Sequence, residues 1–261
     1  METQLAVRNE DGAPVGDAPH SFAHLFMISG APGGGKSVTL TGLIVDRTWA
    51  TLIAIQSPAG KIYKVTPYYD EDDSVLHDLA ILKDSNGRNR TIEVPDNYML
   101  IPSTKIFANY HLHGIKYVYC TVVDMIKWLN DQTISNGILG VDESYIEGEA
   151  RRGSSQIVVL MTQFAQQMRK RMLEMYLLTQ HPRFIDWRFR FLLAKKYICR
   201  YNENTHYVYL IVKDVMKNKE KTTKYWGPQY WKYYDTNELP EMPQGQIDKA
   251  IQSMQGGKKP R

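Results

Sequence analysis

Gly30-Ala31-Pro32-Gly33-Gly34-Gly35-Lys36-Ser37 follows directly on the apolar run Ala23-His24-Leu25-Phe26-Met27-Ile28. It leads into Ser37-Val38-Thr39-Leu40-Thr41-Gly42-Leu43-Ile44-Val45, whose apolar residues recur at near-helical spacing. The order is strand, glycine-rich loop, helix, and the eight residues fit the pattern G-x-x-x-x-G-K-[ST]. A phosphate can be cradled only where successive backbone N–H groups turn inward and no side chain blocks the approach, which Gly30, Gly33, Gly34 and Gly35 permit. Lys36 would then reach the outer phosphates and the Ser37 hydroxyl a magnesium ion, with the helix N-terminus facing the anion. Gly30, Ala31, Pro32, Gly33, Gly34, Gly35, Lys36, Ser37 and Val38 are the candidate nucleotide contacts. The plain alternative is a glycine-rich turn that precedes Lys-Ser.

A hydrolytic nucleotide site also needs a group that activates water. Ile138-Leu139-Gly140-Val141 is a short apolar run that ends in Asp142-Glu143, and ligands gather at the carboxyl ends of strands in open α/β sheets. Asp142 is placed to hold the Mg2+ shell and Glu143, one residue on, to polarise water as general base. Two adjacent carboxylates favour ATP hydrolysis over nucleotide kinase chemistry, which does better to keep reactive water away. A third apolar run, Met175-Tyr176-Leu177-Leu178-Thr179, ends in Gln180, whose amide can contact both the terminal phosphate and the water. Taken singly, a solvated acidic pair and a polar strand end are the ordinary explanations; the upstream loop is what lends them chemistry.

These runs, with Thr51–Ile55 and Lys105–Asn109, suit parallel strands covered on both faces. The segments Val122–Asn130 and Gln156–Glu174 read as helices between them, so the alternation predicts a doubly wound α/β domain. Ala80–Val94 reads as a hairpin turning at Asn86-Gly87, within an insertion over 58–100. Phe189–Arg200 and His206–Asp214 read as an antiparallel pair joined around Asn202-Glu203-Asn204. The expected organisation is a flexible arm over 1–20, one domain over 21–244 and a disordered basic tail over 245–261.

Composition narrows the setting. With 261 residues and 43% hydrophobic content the chain can bury one large core. Cys120 and Cys199 lie in apolar stretches and are expected to be buried thiols in a reducing compartment, with no disulfide framework. No apolar run approaches the roughly 20 residues of a membrane-spanning helix, and the N-terminus lacks signal-peptide character, so an intracellular, soluble protein is expected. Net charge is only +4, but Arg169 to Arg200 holds nine Lys or Arg against two acids. That density is compatible with a phosphate-rich partner, although a solvated face explains most charge runs.

Gly30–Ser37, Ile138–Glu143 and Arg169–Gln180 together resemble the HerA/FtsK superfamily of DNA-pumping ATPases. Ile106–Tyr117, Thr179–Arg190 and Tyr234–Glu238 are similar to zonular-occludens-toxin-like and viral packaging ATPases. The resemblance covers most of residues 22 to 240 and implies a P-loop NTPase fold of RecA/ASCE type, with ATP and Mg2+ as cofactors. It implies a homo-oligomeric ring, a hexamer or pentamer, in which Arg169, with Arg171 as its rival, reaches the neighbouring subunit's nucleotide. It also implies double-stranded DNA as the moved partner, capsid vertex or portal proteins as further partners, and the cytoplasm of an infected cell or the virion as the setting. Arg188, Arg190, Lys195, Lys196 and Arg200 are the candidate DNA contacts, and the aromatics among them read mostly as packing. Two other functions stay open: an assembly or secretion ATPase, and a nucleotide-dependent DNA-binding loader. The insertion over 58–100 has no counterpart in the family pattern.

Overall fold

The computed structural model describes residues 25–83, 87–128, 134–142, 156–185 and 187–235. The arm over 1–20, the tail over 245–261, Asn86 of the hairpin turn and Glu143 lie outside these.

Five apolar runs form the centre of an eight-stranded sheet: β1 (Leu25–Ser29), β7 (Lys105–Ala108), β9 (Gly137–Val141), β10 (Leu173–Thr179) and β11 (Leu193–Tyr201). They pair in parallel in the spatial order β11-β1-β10-β9-β7, and the short β8 (Val118–Tyr119) continues the parallel run beyond β7. β1, β9 and β10 are buried almost end to end, which is why they show no polar alternation in sequence. Beyond β11 the sheet turns antiparallel through β12 (Tyr207–Asp214) and β13 (Lys219–Trp226). The expected antiparallel pair is therefore a three-stranded extension, whose first strand also lies parallel to β1.

Helix α1 (Lys36–Ala50) covers one face of this sheet and is buried nearly all round, because a second sheet lies on its outer side. That sheet has five antiparallel strands in the order β5-β4-β3-β2-β6: Asn89–Glu93, Val75–Lys83, Ile62–Tyr69, Leu52–Gln56 and Met99–Pro102. The run Thr51–Ile55, expected as a strand, belongs here rather than to the parallel sheet. The hairpin expected over 80–94 is β4–β5. Val65, Ala80, Val94 and Leu100 join Ile28, Leu40, Ile44 and Tyr176 in one continuous core, so the segment is packed into the domain and not merely attached to it.

The opposite face of the main sheet is covered by α2 (Val122–Lys127), α3 (Gln156–Gln167) and α4 (Trp187–Leu192), over a second core of Met27, Leu139, Phe164, Met175 and Phe189. Two expectations shift here. The helix expected to run to Glu174 stops earlier: a 3-10 turn spans Met168–Arg171, and Met172, left-handed at φ 52°, ends it before β10. Phe189–Leu192, expected as strand, is helical because Phe189 and Leu192 point into the core at i, i+3 while Trp187 and Phe191 face out at i, i+4.

A 3-10 segment, Gly227–Tyr233, locks α1 to the second sheet. Tyr230 is 1% exposed and donates a hydrogen bond to Asp46 on α1, which also pairs with His77 of β4 at 3.1 Å. Lys232 reaches Asp78 at 3.0 Å and Asp96 at 2.5 Å. Tyr230→Ala should lower the unfolding free energy by about 3–5 kcal/mol and Tyr230→Phe by about 1–3, measured by urea denaturation.

Candidate functional site: the strand ends around the phosphate loop

The sheet order decides which polar groups meet. Because β10 lies between β1 and β9, the residues that follow these three strands lie at the same, carboxyl edge of the sheet. Ser29 is in register with Thr179, Leu177 with Val141, and the Gly30 N–H donates to the Thr179 carbonyl at 3.3 Å. Gly30 follows β1 opposite Gln180, whereas Asp142 follows β9 opposite Leu178, two residues short of Gln180.

The loop itself is held by packing. A Cβ on Gly30 would lie 2.8 Å from the Cys199 carbonyl of β11, so only glycine lets the loop pass. Gly35 is left-handed at φ 84° and offers α1 no side-chain cap, which leaves the first helical N–H groups turned to the loop mouth. The Gly34 N–H closes a turn on the Ala31 carbonyl at 2.9 Å. Lys36 is 9% exposed and its ammonium folds back onto the Gly30 and Ala31 carbonyls at 3.2 and 3.1 Å, across the loop it would serve. Ser37 stands half-buried in the first turn of α1 beside it. Open space beside Gly33, the helix N-terminus and a lysine folded over the loop fit a bound phosphate chain.

Two supports went unread in the sequence. Asn109, fully buried at the end of β7, grips the backbone of Asp142 with both ends of its amide. The Asp142 N–H donates to Asn109 Oδ1 at 2.7 Å, and Asn109 Nδ2 donates to the Asp142 carbonyl at 3.3 Å. The clue was available: Asn109 ends an apolar run just as Asp142 and Gln180 do. Thr39 is the other support. Its hydroxyl donates to the Gly35 carbonyl at 2.7 Å and accepts from the buried Tyr225 phenol at 2.7 Å. With the hydroxyl's only proton spent on Gly35, the contact with Cys199 Sγ at 3.2 Å has the thiol as donor. Burial drives the Tyr225 phenol well above its ordinary range and pushes the Cys199 thiol up to about 11, the latter against the opposing pull of Thr39 and Lys36. Both cysteines are buried and free.

The arginines lie elsewhere. Arg169 and Arg171 sit in the 3-10 turn before β10, at the sheet edge opposite the phosphate loop, some 23 Å away by the rise of seven strand residues. Arg171 is 7% exposed and binds within its own chain, to the Trp128 carbonyl at 2.5 Å and Gln167 Oε1 at 2.9 Å, above the Phe164 ring. Arg169 is exposed.

The DNA candidates separate as well. Arg188 and Arg190 are on α4. Lys195 is in register with Phe26 and faces α1, whereas Lys196 and Arg200 face the other way, on the side of Met27. Among the described residues no cluster of three His, Cys, Asp or Glu could hold a metal, and no helix is long and apolar enough to cross a membrane.

A glycine-rich phosphate loop after the second strand of a parallel β11-β1-β10-β9-β7 sheet settles the architecture. The fold is that of a P-loop NTPase. No protein-family model and no curated protein matches the chain. Three solved structures similar to it are as follows in their extent and likeness. The N-terminal domain of zonular occludens toxin from Neisseria meningitidis is 16% identical at a TM-score of 0.45, over 82% of this chain and 100% of that one. A KaiC-like protein from Pyrococcus horikoshii OT3 is 10% identical at 0.39, over 77% and 83%. EssC (ATPases 2 and 3) from Geobacillus thermodenitrificans is 11% identical at 0.42, over 92% of this chain and 46% of that one. At such likeness no residue role passes from them to this chain.

Asn109→Ala leaves the Asp142 N–H without its buried partner and should destabilise the protein by about 1–3 kcal/mol in urea denaturation. A thiol of pKa about 11 is about one part in a thousand thiolate at pH 8. Cys199 should therefore resist iodoacetamide in the folded protein and react once urea unfolds it, read by mass spectrometry.

Proposed function

We propose that this protein is a Mg2+-dependent ATPase that works as a homo-oligomeric ring and moves double-stranded DNA, serving genome packaging into a viral capsid in the cytoplasm of an infected cell. The observation that carries the hydrolytic part is that Gly30, Gln180 and Asp142 follow three adjacent parallel strands at one sheet edge, with Asn109 fixing the Asp142 backbone. Bound ATP and Mg2+ supply the phosphoanhydride to be cleaved and the cation that offsets its charge. The chain's own groups then divide the work. Lys36 exchanges its two backbone carbonyls for phosphate oxygens, and Ser37 and Asp142 hold the cation. Glu143, the residue after Asp142, takes the proton of the attacking water, and Gln180 orients that water from the neighbouring strand.

For ring assembly the supporting feature is the position of Arg169, exposed at the sheet edge opposite its own phosphate loop. Arg171 is the weaker of the pair, since its guanidinium is spent inside its own chain. DNA as cargo is supported by the basic stretch from Arg169 to Arg200. Capsid vertex or portal proteins would be the further partners.

A second reading, an assembly or secretion ATPase acting on protein, is favoured by one observation. On α4, Trp187 and Phe191 stand 55% and 80% exposed, edge to face at 5.6 Å, as an uncovered apolar contact.

The deciding measurement is ATPase rate with and without duplex DNA. Wild type should be stimulated; an unchanged rate sinks the motor reading. Glu143→Gln should lose about 10²–10⁴-fold in kcat. Arg169→Ala should be inactive alone and recover partial activity when mixed with Lys36→Ala subunits.

A further inference from the structure

The antiparallel extension β11–β13 has one covered face and one open face. Tyr197, Cys199, Val208, Leu210 and Tyr225 point toward α1 and are buried. The residues between them point the other way, and the pairing register places them in cross-strand rows. One row is Arg200, Tyr209, Lys224, with the tyrosine directly flanked by a cation on each side. Another, two rows along, is Lys196, Lys213, Glu220, and Tyr207 pairs with Trp226 at the end nearest the phosphate loop. Four cations and a single acid thus share this face. Its aromatic rings are open: Tyr209 is 40% and Trp226 48% exposed, and the Lys224 ammonium lies 5.2 Å over the Tyr207 ring.

We infer that this face binds single-stranded DNA, with Lys196, Arg200, Lys213 and Lys224 on its phosphates and Tyr209 and Trp226 stacked on its bases. Positive charge alone would suit any polyanion. The exposed rings interleaved with that charge decide for an unpaired strand, because a duplex keeps its base faces inside and would leave Tyr209 and Trp226 nothing to stack on. Rows about 7 Å apart on a sheet give successive bases separate platforms. The inference goes beyond the proposed function and rests neither on its duplex cargo nor on hydrolysis or ring assembly. It gains mechanical sense from the covered face. Tyr201, Val208 and Tyr225, each next in sequence to a residue of the open face, are the groups that touch Gly35 or Thr39.

The test is fluorescence anisotropy of the full chain with a labelled oligo(dT) about 20 nucleotides long and with a duplex of equal length, without nucleotide. The strand should bind more tightly than the duplex. The Tyr209→Ala/Trp226→Ala pair should weaken strand binding about tenfold or more, while Tyr209→Phe keeps it. Lys213→Ala/Lys224→Ala should reduce the salt dependence of log K by about 1.4, the value for two lost phosphate contacts on a single strand. Lys217→Ala/Lys219→Ala, at the β12–β13 turn, should change neither, and circular dichroism verifies that each variant is folded. The proposal is overturned if the duplex binds as tightly as the strand, if neither binds, or if the turn pair weakens binding as much as the face pairs. Failure of duplex DNA to stimulate the ATPase would sink the motor and leave this surface standing.

Discussion

One buried hydroxyl, Thr39 Oγ1, ties the phosphate loop to the sheet that surrounds it. Only part of the loop's shape comes from its own hydrogen bonds, such as the Gly34 N–H to the Ala31 carbonyl; packing from outside imposes the rest. Thr39 passes that constraint on: its proton fixes the Gly35 carbonyl, while Tyr225 from β13 and Cys199 from β11 hold the oxygen. The Cys199 carbonyl presses against Gly30 on the other flank. The antiparallel strands thereby help to shape the glycine-rich loop, although none of their residues carries its pattern.

A second constraint is the placement of β10 between β1 and β9. It puts the strand that ends before Gln180 between the phosphate loop and Asp142, and Asn109, just after β7, holds the Asp142 backbone. The same arrangement sends Arg169 and Arg171 to the opposite edge of the sheet, since they precede β10 while Gln180 follows it. Gln180 and the two arginines thus stand at opposite ends of β10.

The parts of the fold that the sequence states clearly are those whose signal is local. β1, β9 and β10 are short apolar runs, and Gly30, Asp142 and Gln180 come directly after them. Where the signal is shared between two periods it misleads. Trp187-Arg188-Phe189-Arg190-Phe191 alternates like a strand, yet folds as a helix because only Phe189 and Leu192 have a core to enter. β13 is nearly all exposed, with Tyr225 its one buried residue, so it shows no apolar pattern at all; its pairing with β12 is what makes it a strand.

By itself the sequence determined the phosphate loop, the strand that leads into it and the two polar strand ends that share its edge, because these depend on residue type and on neighbours within a few positions. Tertiary structure alone decided that Asn109 grips Asp142, that Thr39 and Tyr225 brace Gly35, that Arg171 is buried in its own chain, and that Lys195 and Lys196 face opposite ways. Each of those depends on which strands lie side by side and in what register, and such pairing joins residues from 33 to 186 positions apart in the chain.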